Sequence, residues 1–187
     1  MRARLAAVLA ILLGYGVLQA VWLPPDGVFS GDIGTKYLQA RAVTRHGPLS
    51  PWIDGPALEI DTARRWQDPF LVPREDGRLV GVFSWLLAAL TAPFLYAFGL
   101  HGLYVVPAVS VAVAFLAISS MGRALGQSGG GMWAGWCAVL ATPLLFYGAE
   151  LWEHAPAVAL VSVAGALLMG GGSNVSPRRW FGAAVCL

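Results

Sequence analysis

Only 12% of the 187 residues are charged and 57% are hydrophobic, whereas soluble domains average about 25% charged residues. The mean hydropathy of +0.66 therefore excludes an ordinary soluble domain and indicates a protein whose partner is the lipid bilayer. The net charge of +2, with scattered basic residues, also excludes the basic stripe of a nucleic-acid-binding protein, so nucleic acid is not an expected partner.

The chain begins with a long apolar segment. Residues 5–23 are almost uninterruptedly apolar, and about 20 such residues cross the ~30 Å hydrocarbon core of a bilayer. The segment is longer than the apolar core of a usual signal peptide, and it ends without a small-x-small cleavage site. We therefore predict an uncleaved first span in the cell membrane, with a cytoplasmic amino terminus because Arg2 and Arg4 flank its start.

Residues 24–101 carry most of the charge and are predicted to form the first extracytoplasmic loop. Between Gly34 and Arg45, apolar and charged residues are arranged in a pattern typical of a short amphipathic helix on the membrane surface. A second, weaker helix is predicted at residues 56–66, with Asp54 as its N-cap. The loop is thus expected to contain juxtamembrane helices.

Further apolar segments predict further spans, at residues 102–121, 132–149 and 155–170, with the start of another at residue 180. The predicted fold class is all-α, a polytopic transmembrane helical bundle with juxtamembrane helices in the first extracytoplasmic loop. Because the sequence ends inside an apolar run at Leu187, we expect it to be the amino-terminal part of one transmembrane domain in a longer protein.

The basic residues that follow the later spans decide the predicted topology. The positive-inside rule places three arginines in the cytoplasm: Arg123, Arg178 and Arg179. This requires residues 80–100, interrupted by Pro93, to return to the outer face as a re-entrant or interfacial helix pair. The segment from Glu150 to His154 is then expected outside, on the same side as the first loop.

An acid and a base in the first loop are candidates for chemistry. Asp32 lies about nine residues beyond the first span, and Lys36, the single lysine of the chain, follows one helical turn later, so the two side chains could pair. The alternative is a solvated loop acid or the N-cap of the helix that follows.

A second polar cluster consists of Glu150, Glu153 and His154, between two apolar runs. Their i, i+3 and i, i+4 spacing would let them face one way at a helix end. Two carboxylates and an imidazole could hold Zn²⁺ or a harder cation such as Mg²⁺ or Mn²⁺. Alternatively, the cluster lies in the headgroup layer with Trp152 as an interfacial anchor.

Three sequence features occur together. First, Asp32 precedes the segment Tyr-Leu-Gln-Ala-Arg-Ala. Second, Gly99 ends the run Ala-Pro-Phe-Leu-Tyr-Ala-Phe-Gly. Third, the segment that begins at Thr142, Thr-Pro-Leu-Leu-Phe-Tyr, leads into the segment that begins at Glu150, Glu-Leu-Trp-Glu-His. In this combination the chain resembles the amino-terminal half of polytopic GT-C glycosyltransferases, the group that includes protein mannosyltransferase-like and aminoarabinose transferase-like enzymes. The resemblance implies that Asp32 is the catalytic or metal-associated acid and that a second acid is Glu150 or Glu153.

The resulting hypothesis is a membrane glycosyltransferase that moves a sugar from a polyprenyl-phosphate donor to an acceptor on the extracytoplasmic side. Asp32 would act on the acceptor hydroxyl or bind a metal. Basic side chains would clamp the donor phosphate, with Lys36, Arg41 and Arg74 as the candidates.

In this hypothesis Glu150 would help to position the reacting centre, and Glu153 and His154 would hold a divalent cation that neutralises the leaving phosphate.

The alternative hypothesis is a non-enzymatic polytopic membrane protein, either a transporter fragment or a scaffold subunit. A transporter would place its charges near helix breaks at mid-membrane.

Overall fold

The computed structural model describes residues 2–22, 31–50, 52–53, 70–75, 78–126, 129–170 and 175–187. Helices account for 77% of these residues, which confirms that the chain is mostly helical. The helices are α1 (Arg2–Trp22), α2 (Gly31–His46), α3 (Trp85–Phe98), a 3-10 helix (Gly99–Tyr104), α4 (Val105–Ala124), α5 (Gly130–Leu140), α6 (Leu144–Tyr147), α7 (His154–Met169) and α8 (Pro177–Cys186). Three short strands, β1 (Trp52–Ile53), β2 (Leu71–Pro73) and β3 (Leu79–Gly81), depart from the predicted all-α class.

The chain divides into two compact units. One, which we call the helical unit, combines Met1–Val21 with Val106–Leu187. The other, which we call the inserted unit, comprises Trp22–Val105 and contains all three strands.

The core of the helical unit is formed where α1 meets α4. Val111 and Phe115 on α4 are fully buried, and Ile11 and Tyr15 on α1 pack in the same cluster. The Tyr15 hydroxyl donates a hydrogen bond of 2.8 Å to the carbonyl of Leu145. This hydrogen bond joins α1 to α6, two helices that are far apart in the sequence, and it adds a polar contact to the apolar core.

Two helical stretches are long and apolar enough to cross a membrane. They are Arg2–Trp22, with 21 residues, and Trp85–Ala124, with 40 residues that include the 3-10 turn. Along α1, large apolar side chains four residues apart are exposed: Leu5, Leu9, Leu13, Val17 and Val21. A stripe of this kind is favourable in contact with lipid and costly in contact with water.

The segment predicted as a span at residues 132–149 is divided into two helices. Helix α5 ends at Leu140 and α6 begins at Leu144. Thr142 explains the break, because its hydroxyl donates to the carbonyl of Ala138 (2.6 Å) and accepts the N–H of Leu144 (3.2 Å), while the following Pro143 has no N–H to continue the helix. The 11 residues of α5 reach only about 16 Å, roughly half of a hydrocarbon core.

In the segment predicted as a re-entrant or interfacial helix pair, residues 80–100, the interruption predicted at Pro93 was wrong. Residues 79–81 form strand β3, and α3 then continues through Pro93 to Phe98. The break comes instead at Gly99, whose φ of +62° favours glycine. After this turn Gly102 lies directly against the backbone of Phe94, where a side chain would collide.

The inserted unit consists of α2 packed against α3 and against a three-stranded sheet. The strand order is β1-β3-β2, with antiparallel pairs Trp52–Val80 and Val72–Val80. The helix predicted between Gly34 and Arg45 is confirmed as α2, although it begins at Gly31. The helix predicted at residues 56–66, with Asp54 as N-cap, lies outside the described residues.

Candidate acid–base site on helix α2

Asp32 and Lys36 form the predicted ion pair across the first turn of α2. Lys36 Nζ lies 3.9 Å from Asp32 Oδ2, which confirms the pairing expected from the i, i+4 spacing. The two side chains differ in burial, since that of Lys36 is 4% exposed and that of Asp32 is 23% exposed. Asp32 also lies at the positive end of the helix dipole, where a carboxylate is stabilised. The carboxylate is thus the part of the pair that solvent can reach.

An aromatic ring covers the lysine. Lys36 Nζ lies 4.5 Å from the centroid of the Phe83 ring, a cation–π contact. Phe83 in turn packs against Phe70, with ring centroids 5.2 Å apart. A buried ammonium is costly unless a counter-charge and polarisable contacts compensate it, and here Asp32 and Phe83 supply them.

Gln39 fixes the position of Phe83. Its Nε2 donates a 3.0 Å hydrogen bond to the Phe83 carbonyl. Gly81 makes room for this amide, because a Cβ at Gly81 would lie 2.6 Å from Gln39 Cδ. Gln39 Oε1 is buried and accepts no hydrogen bond from any residue that the structure describes. Gln39 lies about one helical turn beyond Lys36.

The predicted phosphate-binding residues do not gather around Asp32. Arg41 is half-buried on α2, nine positions beyond Asp32 and hence about 13 Å farther along the helix axis. Arg74 lies in the hairpin between β2 and β3, where its Cζ is 4.8 Å from the centroid of the Trp52 ring. Lys36 alone of the three predicted basic residues contacts the carboxylate.

The second predicted cluster lies in the helical unit, at the start of α7. Glu153 immediately precedes the helix and His154 is its first residue. The exposed His154 ring lies 4.6 Å from the ring of Tyr147 and 5.6 Å, edge-on, from that of Trp152. Glu150 lies in the turn before, where its carbonyl accepts the N–H of Trp152 at 2.9 Å. His154 is therefore held among aromatic rings.

No three His, Cys, Asp or Glu side chains come together as a possible metal site within the described ranges. The divalent cation expected at Glu153 and His154, and the positioning role expected for Glu150, stay predictions. Asp32 and these residues belong to different compact units.

Three residues of this site were not predicted from the sequence: Phe83, Phe70 and Gln39. Gln39 and Phe83 are 44 positions apart along the chain, so no local spacing connects them. The presence of Gln39 on the same helix as Asp32 and Lys36 was a weak signal, since a residue at i+3 from Lys36 lies on the same side of the helix.

Comparisons with known proteins give no relative: no family model, no curated protein and no solved structure matches the chain.

Proposed function

We propose that the chain is the amino-terminal part of a polytopic membrane glycosyltransferase that uses a polyprenyl-phosphate sugar donor. The observation that carries the proposal is the Asp32–Lys36 pair, in which a partly exposed carboxylate is held by a buried ammonium 3.9 Å away. A general base has to be accessible to its substrate and fixed in position, and this arrangement meets both conditions.

The membrane part of the proposal is a bundle with a cytoplasmic amino terminus and with residues 24–101 on the extracytoplasmic side. The two long apolar stretches and the exposed apolar stripe of α1 support it. Helix α7 is apolar but has only 16 residues, about 24 Å, so it would need flanking residues to cross a full hydrocarbon core.

In the proposed reaction Asp32 accepts the proton of the acceptor hydroxyl. The acceptor oxygen forms a bond to C1 of the sugar, the bond between C1 and the phosphate oxygen breaks, and polyprenyl phosphate leaves with the bonding electrons.

The test is transfer activity of the full-length protein in membranes, with a panel of short-chain polyprenyl-phosphate hexoses and pentoses as donors. Asp32→Asn should lower turnover about 10²- to 10⁴-fold, the usual contribution of a positioned base. The control is Glu75→Gln, which removes an exposed carboxylate from the same unit and should leave turnover unchanged. Unchanged turnover in Asp32→Asn removes Asp32 from the mechanism.

A labelling experiment separates this proposal from a non-enzymatic transporter or scaffold. The two native cysteines, Cys137 and Cys186, are replaced by alanine, and single cysteines are introduced at Arg45 and His154, both exposed. The proposed topology requires a membrane-impermeant maleimide to reach both positions from the extracytoplasmic side. Labelling from opposite sides contradicts it.

A further inference from the structure

A pair of arginines lies at one end of the helical unit. Arg4 on α1 is close enough to Arg123 on α4 for their positive charges to repel each other. Farther along the two helices, the side chains of Tyr15 and Val111 both lie directly against Gly148. Helices α1 and α4 are therefore antiparallel, and the two arginines lie about three helical turns away from Gly148.

The hydrogen bonds of Arg4 are incomplete. Its Nη2 atom is buried and has no hydrogen-bond partner among the residues that the structure describes. Arg4 as a whole is half-buried and Arg123 is exposed, so the pair is accessible to a ligand. The Arg123 side chain packs on Gly131 of α5, where a Cβ would lie 3.1 Å from its Cγ. The two positive charges are thus held together although their repulsion and the missing hydrogen bond are both unfavourable.

The acidic residues of the helical unit lie elsewhere. Glu150 and Glu153 are the only acidic residues in the sequence of this unit, and this count includes its positions outside the described ranges. Both follow Gly148 within five residues, so they lie toward the opposite end of α1 and α4. A bound anion would supply the counter-charge that the unit lacks at the arginine pair.

Exposed apolar side chains begin directly beside Arg4. Leu5 is 61% exposed and Leu9, one turn later, is 51% exposed, and these two residues begin the apolar stripe of α1. A ligand on the two guanidinium groups therefore has apolar surface next to it. A lipid matches both features, because it joins a charged headgroup to hydrocarbon chains, whereas a soluble anion would leave the apolar surface in contact with water.

We propose that Arg4 and Arg123 form a binding site for the headgroup phosphate of an anionic phospholipid, whose acyl chains lie along Leu5 and Leu9. A guanidinium binds phosphate oxygens in pairs, so one phosphate between the two arginines offsets their repulsion and accepts hydrogen bonds from both. A zwitterionic lipid fits less well, because its ammonium group would bring a third positive charge to the pair. Basic sites between membrane helices on the cytoplasmic side are typical for anionic headgroups, and the proposed topology places this end of the unit there.

This lipid site is separate from the acid–base site. It uses neither Asp32 nor Lys36, which belong to the inserted unit. Lipid binding therefore does not depend on the proposed glycosyl transfer, and a negative result for one leaves the other standing.

The test measures binding to the full chain in neutral detergent by microscale thermophoresis. The probes are dihexanoyl phosphatidylglycerol, dihexanoyl phosphatidylcholine and glycerol 3-phosphate. The phosphatidylglycerol should bind about 10-fold more tightly than either of the others, because phosphatidylcholine has no net charge and glycerol 3-phosphate has no acyl chains. Equal binding of phosphatidylcholine shows that the charge has no role, and equal binding of glycerol 3-phosphate identifies a soluble anion as the ligand. Either result overturns the proposal, as does a failure of phosphatidylglycerol to bind.

Variants locate the site. Arg4→Gln and Arg123→Gln should each weaken phosphatidylglycerol binding about 10-fold, the value of one charge-assisted hydrogen bond. The matched control is Arg2→Gln, which removes an exposed charge from the same turn of α1, although a residue two positions away does not face the same side of the helix. It should weaken binding by about 2-fold at most, the effect of a lower net charge.

Circular dichroism checks that each variant is folded, and Arg123→Gln keeps the test valid if Arg4→Gln is not. The proposal is overturned if the folded variants bind phosphatidylglycerol as tightly as the original chain. It is also overturned if Arg2→Gln weakens binding as much as Arg4→Gln does, because the lipid would then respond only to the overall positive charge.

Discussion

The helical unit and the inserted unit differ in the kinds of side chain that they bury. In the helical unit the buried side chains are mainly apolar, and glycines allow backbones to approach closely. Two of its serines bond within their own helix, Ser110 to the carbonyl of Val106 and Ser120 to the carbonyl of Leu116, each at 2.7 Å. In the inserted unit, α2 buries Lys36 and Gln39, and both side chains contact Phe83, which lies outside α2.

The difference indicates where to look for function. Burying Lys36 costs free energy that an apolar residue of similar size would not cost. The buried side chains of the helical unit are mainly apolar, with the Tyr15 hydrogen bond as a polar addition, whereas the inserted unit buries a charged residue, and that burial calls for a further reason.

Gly131→Val should destabilise the helical unit by about 3 kcal/mol or more, because overpacking against fixed atoms cannot relax. A Cβ at Gly131 lies 2.6 Å from the carbonyl oxygen of Ser119 and 3.2 Å from the N of Arg123, both backbone atoms. The matched control is Gly16→Val on α1, where nothing lies within 4 Å. Thermal unfolding in detergent measures the difference, and equal stability of the two variants would contradict close packing at Gly131.

Helices within the long apolar runs could be predicted because length and hydrophobicity alone indicate them. Helix α1 is predicted by the run at residues 5–23 and α4 by the run at residues 102–121. The break between α5 and α6 was not predicted, although Pro143 marks it, because the apolar run continues through the break. The hydrogen bond of the Thr142 hydroxyl that stabilises the break is a local contact, and hydropathy does not reveal such contacts.

The acid–base pair could be predicted because Asp32 and Lys36 are one helical turn apart. Phe83, which covers the lysine, could not be predicted, since it is brought there by the sheet rather than by any spacing within α2. The strands themselves were missed because two or three residues are too short for a period-two pattern. Local contacts were thus predictable from the sequence, and contacts between distant segments were not.

A double-mutant cycle tests whether the pair acts as a unit. Asp32→Ala should cost about 2 kcal/mol because it removes a counter-charge from a buried ammonium. Lys36→Met should cost about 1 kcal/mol, because Asp32 is partly exposed and water can compensate its charge. The double variant should lose about 1 kcal/mol less than the sum of the two. Chemical unfolding measures all three, and simple additivity would show that the two charges do not stabilise each other.

A second cycle tests the contact between Gly81 and Gln39. Gly81→Ala should cost about 1 to 2 kcal/mol, because the new methyl group displaces the Gln39 amide from the Phe83 carbonyl. Gln39→Ala removes the obstacle, so adding Gly81→Ala to it should cost almost nothing further. An undiminished cost of Gly81→Ala in the Gln39→Ala background would place the strain elsewhere.

The smallest predicted effect has the opposite sign and lies in the helical unit. Ser119 is fully buried on α4, and its hydroxyl has no hydrogen-bond partner among the described residues. Ser119→Ala should therefore stabilise the protein by about 1 kcal/mol, since it removes a buried polar group that gains nothing in return. Ser120→Ala is the control, because that hydroxyl bonds to the Leu116 carbonyl at 2.7 Å and its loss should be neutral or slightly unfavourable. If thermal unfolding shows instead that Ser119→Ala is destabilising, the Ser119 hydroxyl has a polar partner that stabilises the helical unit.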